Sequence, residues 1–174
     1  QRKGVHQYSV MESFYTLQGE GFHTGRAAYF IRLGGCDVGC VWCDVKESWD
    51  AEVHTKIEVE KLVNEASCYS GRLVVITGGE PLMYDLTFLT KALKQNGFQI
   101  NIETSGAYPI SGELDWICVS PKKFKMPLND VLAKANELKC IIYNKSDFKF
   151  AEKNSQHCAE KCKLFLQPEW SKKE

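Results

Sequence analysis

The sequence predicts an α/β protein built on a parallel sheet of about six strands, on three observations. Short apolar runs alternate with helical patterns along the chain. The intervals between the runs are mostly helical, which suits crossovers between parallel strands. Polar residues punctuate the carboxyl ends of the runs, where parallel α/β folds gather their sites. Spacing alone is compatible both with an open doubly wound sheet and with a partial barrel.

The runs AAYFIRL (27–33), RLVVIT (72–77), FQINIET (98–104), DWICVS (115–120), KCIIYN (139–144) and KLFLQ (163–167) read as buried strands. Between the first two, Thr55 and Glu58 form a capping-box pattern that opens a helix. Ile57, Val59, Leu62, Val63 and Ala66 supply its apolar face. A second helix runs from about Asp85 to Asn96 on Leu86, Leu89 and Leu93, and Gly97 suits its end. Residues 105–114, with Gly106, Pro109 and Gly112, read as a loop where a helix would be usual. A third helix, about 128–137, carries Val131, Leu132, Ala135 and Leu138. A fourth, about 147–161, is less regular.

The 174 residues suffice for one domain with a substantial core. Lys+Arg and Asp+Glu balance at 22 each, so overall charge gives no sign of a broad nucleic-acid-binding surface. No apolar run approaches the roughly 20 residues of a membrane span, and residues 1–9 lead into no signal-peptide core. Eight cysteines would suit a disulfide scaffold, but such domains are usually short and loop-rich. Cys68, Cys118 and Cys140 instead sit in apolar patterns, as packed core thiols do. A reducing cytoplasm suits them. The start at Gln1 and the stop at WSKKE suggest that residues are missing at one or both ends.

GGCDVGCVWCD (34–44) carries the chemistry. Three cysteines, Cys36, Cys40 and Cys43, fall within eight positions, with no fourth at metal-site spacing. A closed zinc site or a fully protein-ligated iron–sulfur cluster takes four ligands. Three imply a centre with one open position. Gly34, Gly35 and Gly39 give the tight loop needed to wrap a bulky cluster, and Trp42 would shield one side. A half zinc site completed by His157, Cys158 or Cys162 is the alternative.

The spacing Cys36-x3-Cys40-x2-Cys43, with an aromatic before the last cysteine, resembles the signature of the radical S-adenosylmethionine superfamily. That resemblance implies a 4Fe–4S cluster whose open iron binds S-adenosylmethionine, and a 5′-deoxyadenosyl radical made by one-electron cleavage. TGGEP (77–81) resembles the superfamily's GGE motif, so Gly78, Gly79 and Glu80 would meet the aminoacyl end, with Glu80 accepting from its ammonium. ETSG (103–106) and SPK (120–122) stand where relatives contact the ribose and sulfonium. Thr104, Ser105, Ser120 and Lys122 are the residues this implies. The resemblance also turns the fold expectation into a partial, roughly six-stranded β/α barrel.

SFYTLQGEGFHTGRAAYFIRLGGC, with CVWCD, TGGEP, ETSG, SPK and LQPEW, is similar to the 7-carboxy-7-deazaguanine synthase family over nearly the whole chain. The activity this implies is a lyase reaction. It contracts 6-carboxy-5,6,7,8-tetrahydropterin to 7-carboxy-7-deazaguanine with loss of ammonia, on the pathway to queuosine in tRNA. Gln18, Gly19, Glu20, Thr77 and Gln167 would contact the pterin, and Arg32 its carboxylate. A low-potential donor such as flavodoxin and a cytoplasmic homodimer are implied as well. Arg32 lies within an apolar strand, where an unpaired cation is costly. Its planar fork suits a carboxylate, or a structural salt bridge to Glu20 or Glu103. Where the family commonly has a Mg²⁺-binding Thr or Ser, this chain has Val45, leaving Asp44 as the nearby oxygen donor. The family's closing segment beyond Gln167 is not in evidence. Two rivals share the cysteine pattern: a glycyl-radical enzyme activase and a non-enzymatic zinc-binding interaction module.

Overall fold

In the computed structural model, which describes residues 6–40, 43 and 46–169, all six anticipated strands are present and run parallel, but the last of them, read as buried, lies at the sheet edge with Leu164 and Leu166 exposed. They are β2 (Ala27–Leu33), β4 (Leu73–Gly78), β5 (Gln99–Thr104), β6 (Trp116–Val119), β7 (Glu137–Ile142) and β8 (Lys163–Pro168). Two more strands were not anticipated: β1 (Gln7–Leu17) and β3 (Thr55–Glu58). Together they form one sheet in the order β3-β1-β2-β4-β5-β6-β7-β8, with β1 antiparallel to both of its neighbours.

Thr55 and Glu58 therefore do not form a capping box. They belong to β3, whose pairing with Gln7–Val10 outweighs the helical pattern. Helix α1 starts later, at Val59–Ser67, and Glu58 makes no side-chain capping bond. Ile57 moves with the strand, while Val59, Leu62, Val63 and Ala66 remain the buried face. Helix α2 spans Thr87–Gln95 and α3 Asn129–Lys134. Leu138, read as part of the third helix, lies in β7, because the chain turns extended at Ala135. Helix α4 spans Ser146–Ser155 and ends well before Cys158 and Cys162. Residues 105–115 join β5 to β6 without a helix, as read.

The helices cover one face of the sheet. Leu62, Leu89 and Leu93 pack there against Ile31, Ile76, Ile100 and Ile102, all fully buried. Each such side chain contributes roughly 1.5–3 kcal/mol by leaving water. Cys118 and Cys140 are buried as expected, but Cys68 is exposed. It caps the end of α1, one step past the buried stripe, and its thiol donates to the Asn64 carbonyl.

The opposite face holds the polar residues, and β1 is built to serve it. Tyr8 and Val10 face the helices; strict alternation would send Glu12 and Phe14 the same way. An irregularity between Val10 and Glu12 shifts the register. Such a bulge re-aims the side chains beyond it. Glu12 then stands opposite Arg32 and Phe14 opposite Phe30. The two phenylalanine rings stack 5.4 Å apart and, with Ala28, Leu73 and Val75, form a second small apolar cluster.

The β1–β2 hairpin loop, residues 18–26, lies at the amino ends of the parallel strands and folds across this face. Phe22 stacks on Trp116 at 4.9 Å, and Asn101 Nδ2 and His23 Nδ1 are 3.0 Å apart. Gly21 has φ +70°, and a Cβ there would sit 1.9 Å from Glu137 Oε1. Only glycine allows the loop to lie this low. Buried Glu137 also accepts from the Phe22 backbone N–H at 3.3 Å and from Trp116 Nε1 at 3.0 Å.

Candidate active site

A cavity of about 960 Å³ opens on the polar face and is lined by every anticipated site residue that the structure describes. From the strand ends come Cys36, Cys40, Cys43, Thr77, Gly78, Gly79, Glu80, Thr104, Ser105, Ser120, Lys122 and Gln167. Gln18, Gly19 and Glu20 reach it from the opposite end, through the 18–26 loop, and Arg32 stands on its wall. Asp44, Val45 and Trp42 lie outside the described residues. The volume is at the upper end of the roughly 300–1,000 Å³ typical of small-molecule sites.

The cysteine loop is fixed by backbone bonds to both sides. Gly35 N–H donates to Ser48 O at 2.5 Å, Cys36 N–H to Trp49 O at 3.1 Å and Glu80 N–H to Gly35 O at 2.9 Å. The paired glycines of TGGEP allow that contact. A Cβ on Gly79 would meet Gly35 O at 2.3 Å and Cys36 Cβ at 2.8 Å. At its outer side the loop is latched by Asp37, which accepts from Lys125 Nζ at 2.7 Å and from Tyr108 Oη. Burial pushes the Cys36 and Cys40 thiols up, and Lys122 pulls Cys40 partly back. Burial likewise depresses the Lys122 ammonium, whose Nζ donates to Ser120 Oγ at 2.9 Å.

Glu80 is 1% exposed, and its carboxylate is already engaged by the protein. It accepts from Thr104 Oγ1 at 2.6 Å, Ser105 N–H at 2.8 Å, Leu82 N–H at 3.0 Å and the Ser105 hydroxyl. It thus welds the end of β4 to the end of β5. A role as an open acceptor for a ligand ammonium is not what this geometry offers.

Arg32 pairs with Glu12 at 2.7 Å, and not with Glu20 or Glu103. That partner could not be seen from the sequence, because β1 itself was not read as a strand. Lys139 was missed altogether. It stood at the start of the run KCIIYN, yet it is 6% exposed and its Nζ lies 2.5 Å from Glu20 Oε2. The signal available was a single cation in a strand that should be buried. Glu20 also accepts from Gln167 Nε2 at 2.9 Å, and Gln18 Nε2 donates to Glu103 Oε1 at 3.1 Å.

Three free thiols on one loop, facing a cavity large enough for a cluster and its ligand, are a donor set that fits an iron–sulfur centre. They are not converged as a zinc site would be. Among the described residues, no three His, Cys, Asp or Glu side chains are placed around a single ion.

Comparison with known proteins defines the class first: the radical SAM superfamily model matches residues 30–117. A protein named 7-carboxy-7-deazaguanine synthase from Flavobacterium psychrophilum is 57% identical over 165 residues, covering 95% of this chain and 78% of the relative. A protein of the same name from Synechocystis is 49% identical over 163 residues, covering 94% and 78%. The crystal structure of QueE from Escherichia coli superposes with a TM-score of 0.85 at 36% identity, over 97% of this chain and 85% of that one. The chain belongs to the 7-carboxy-7-deazaguanine synthase family of the radical SAM superfamily. The expected fold, an open partial β/α barrel, stands with it. Membership of the superfamily implies a 4Fe–4S cluster and S-adenosylmethionine. No described helix is long and apolar enough to cross a membrane.

Proposed function

We propose that this chain is a radical S-adenosylmethionine carbon–nitrogen lyase. It contracts 6-carboxy-5,6,7,8-tetrahydropterin to 7-carboxy-7-deazaguanine and ammonia, in queuosine biosynthesis. The atoms of the substrate equal those of the two products, so the overall reaction needs no net oxidant. One observation carries the reading: a single cavity sets the three-thiol loop against the LQGEG loop, which arrives from the opposite end of the strands.

Cys36, Cys40 and Cys43 would hold the cluster, and Gly78, Gly79, Thr104, Ser105, Ser120 and Lys122 would border S-adenosylmethionine. When bound, these groups supply the radical that takes hydrogen from the substrate. Glu80 shapes that wall through its four protein donors. Gln18, Gly19, Glu20, Thr77 and Gln167 would face the pterin. A guanidinium has five N–H donors; the Glu12 contact uses Nε of Arg32, and the fork suits the substrate carboxylate. The chain's part is to orient the ring and keep water from it.

Flavodoxin or a similar low-potential protein as donor, a homodimer and a cytoplasmic setting extend this reading. So does a Mg²⁺ ion held by Asp44, waters and substrate, since Val45 offers no ligand. Magnesium usually keeps several waters, which leaves room for such a shell. The relatives' names favour neither an activase nor a zinc module. The test is anaerobic incubation of reconstituted protein with the carboxypterin, S-adenosylmethionine and reductant. Product mass and released ammonia are expected; cleavage of S-adenosylmethionine with the pterin left intact would refute the reading.

A further inference from the structure

Lys139 stands at the centre of the cavity's charged floor. Its Nζ lies 2.5 Å from Glu20 Oε2, on the hairpin loop, and 4.0 Å from Glu103 Oε2, on β5. Around this trio, β6 contributes the Cys118 thiol, the segment after β6 contributes Lys122, and β8 contributes the neutral Gln167. The two carboxylates come from opposite ends of the sheet and are joined by this ammonium, with Gln18 accepting from the Glu20 N–H and donating to Glu103.

Two carboxylates that share one cation lose that compensation if it is removed, which favours uptake of a proton there. A protonated carboxyl is a donor on one oxygen. That would oppose a ligand edge made of N–H groups, such as the amino-pyrimidinone edge of a pterin. An ammonium between the carboxylates removes the conflict. Burial raises the Glu20 carboxyl, but Lys139 beside it, helped by Gln167 and Lys122, reverses that and holds it below the usual range. Burial alone would lower Lys139, yet Glu103 and Glu20 keep it firmly protonated.

We propose that Lys139 is a positioning residue for substrate recognition: it fixes the Glu20 carboxylate beside Glu103 as an acceptor surface for the N–H edge of the pterin. The proposal rests on the substrate reading above. A second consequence is selectivity for donor-edged heterocycles over isomers with an acceptor at that edge, because an acceptor would face an unpaired carboxylate.

The experiment measures equilibrium binding of the carboxypterin to anaerobic protein across about pH 6 to 9, for wild type, Lys139→Met, Lys139→Arg and the double variant Lys139→Met/Glu20→Gln. Wild-type affinity should vary little with pH, since Lys139 helps keep the Glu20 carboxylate charged. Lys139→Met should bind on the order of ten- to a hundredfold more weakly at the acid end and regain affinity as pH rises. Lys139→Arg should restore the flat profile. In the double variant the pH dependence should largely disappear, because Glu20 no longer titrates, while affinity stays below wild type because one acceptor carboxylate is gone; that variant also relieves the buried charge if the single one folds poorly. If wild type neither binds nor converts the pterin, the substrate reading fails. If wild type binds it and Lys139→Met shows the same affinity and pH profile, the positioning role is overturned. A pH-independent loss that Lys139→Arg does not rescue would likewise overturn it, in favour of a packing role.

Discussion

Arg32 Nε and Glu12 Oε1 face each other at 2.7 Å across adjacent antiparallel strands, in direct register. Glu12 is 47% exposed, so the pair gains only about 0–1 kcal/mol of stability after solvent screening. The contact is better understood as aiming the guanidinium along the cavity wall. Glu12→Gln should change the unfolding free energy by less than about 1 kcal/mol. Arg32→Lys keeps the charge but loses the fork. It should lower product formation by roughly ten- to a hundredfold, and more than it lowers uncoupled cleavage of S-adenosylmethionine. Equal loss of both activities would make the pair structural.

The assignment of the cluster predicts a clear contrast in iron content. Replacing Cys36, Cys40 or Cys43 by Ala should abolish reductive cleavage of S-adenosylmethionine. Cys158 and Cys162 lie beyond α4, and Cys162 packs in the core under β7. Changing both to Ala should leave iron and sulfide per chain at the wild-type value after anaerobic reconstitution. Iron lost in that double variant would place a ligand there.

Glu80 and Gly79 together define the seam between the β4 and β5 ends. Glu80→Gln replaces one acceptor oxygen with an NH₂ in a site whose four neighbours all donate. The cost should be about 1–3 kcal/mol, readable by urea titration. Gly79→Ala forces a Cβ against Gly35 O and Cys36 Cβ, and overpacking of that kind costs about 1–3 kcal/mol. It should also reduce cluster retention, because the cysteine loop must move. A Gly79→Ala protein that retains wild-type iron would mean the loop gives way without disturbing the thiols.

What the sequence made legible follows from periodicity. β2, β4, β5, β6 and β7 are legible as apolar runs because helices bury one face of the sheet and the Phe14–Phe30 cluster and the site cover the other; β8, read as buried on the same grounds, lies at the sheet edge with Leu164 and Leu166 exposed. The polar ends of the runs stood out for the same reason. β1 stayed hidden because its bulge breaks the alternation between Val10 and Glu12. β3 stayed hidden because four residues of mixed polarity carry no period, and their pairing with β1 decides their state. The strand-end residues of the cavity were readable one motif at a time. Lys139 was not, since its partners are far away in sequence: Glu20 reaches it only through the hairpin loop, and Glu103 from β5.

The thiols away from the mouth of the cavity shape the protein's stability at alkaline pH. Burial pushes Cys140 up to about 11, and burial with the neighbouring Cys158 pushes Cys162 up to about 12, both from an ordinary value of 9.0. In each case the folded state favours the neutral thiol. The stabilisation is therefore complete below about pH 9 and is lost as pH rises through 11 and 12. Tyr29, raised to about 12 mainly by burial, adds to the same alkaline slope. Urea titrations from neutral pH upward should show stability falling from about pH 9. Cys140→Ala should flatten that fall while lowering stability at neutral pH, because a buried group is removed. Alkylation at neutral pH should label exposed Cys68 ahead of Cys140. Early labelling of Cys140, or an alkaline slope unchanged by its replacement, would mean that β7 opens to solvent more readily than its burial implies.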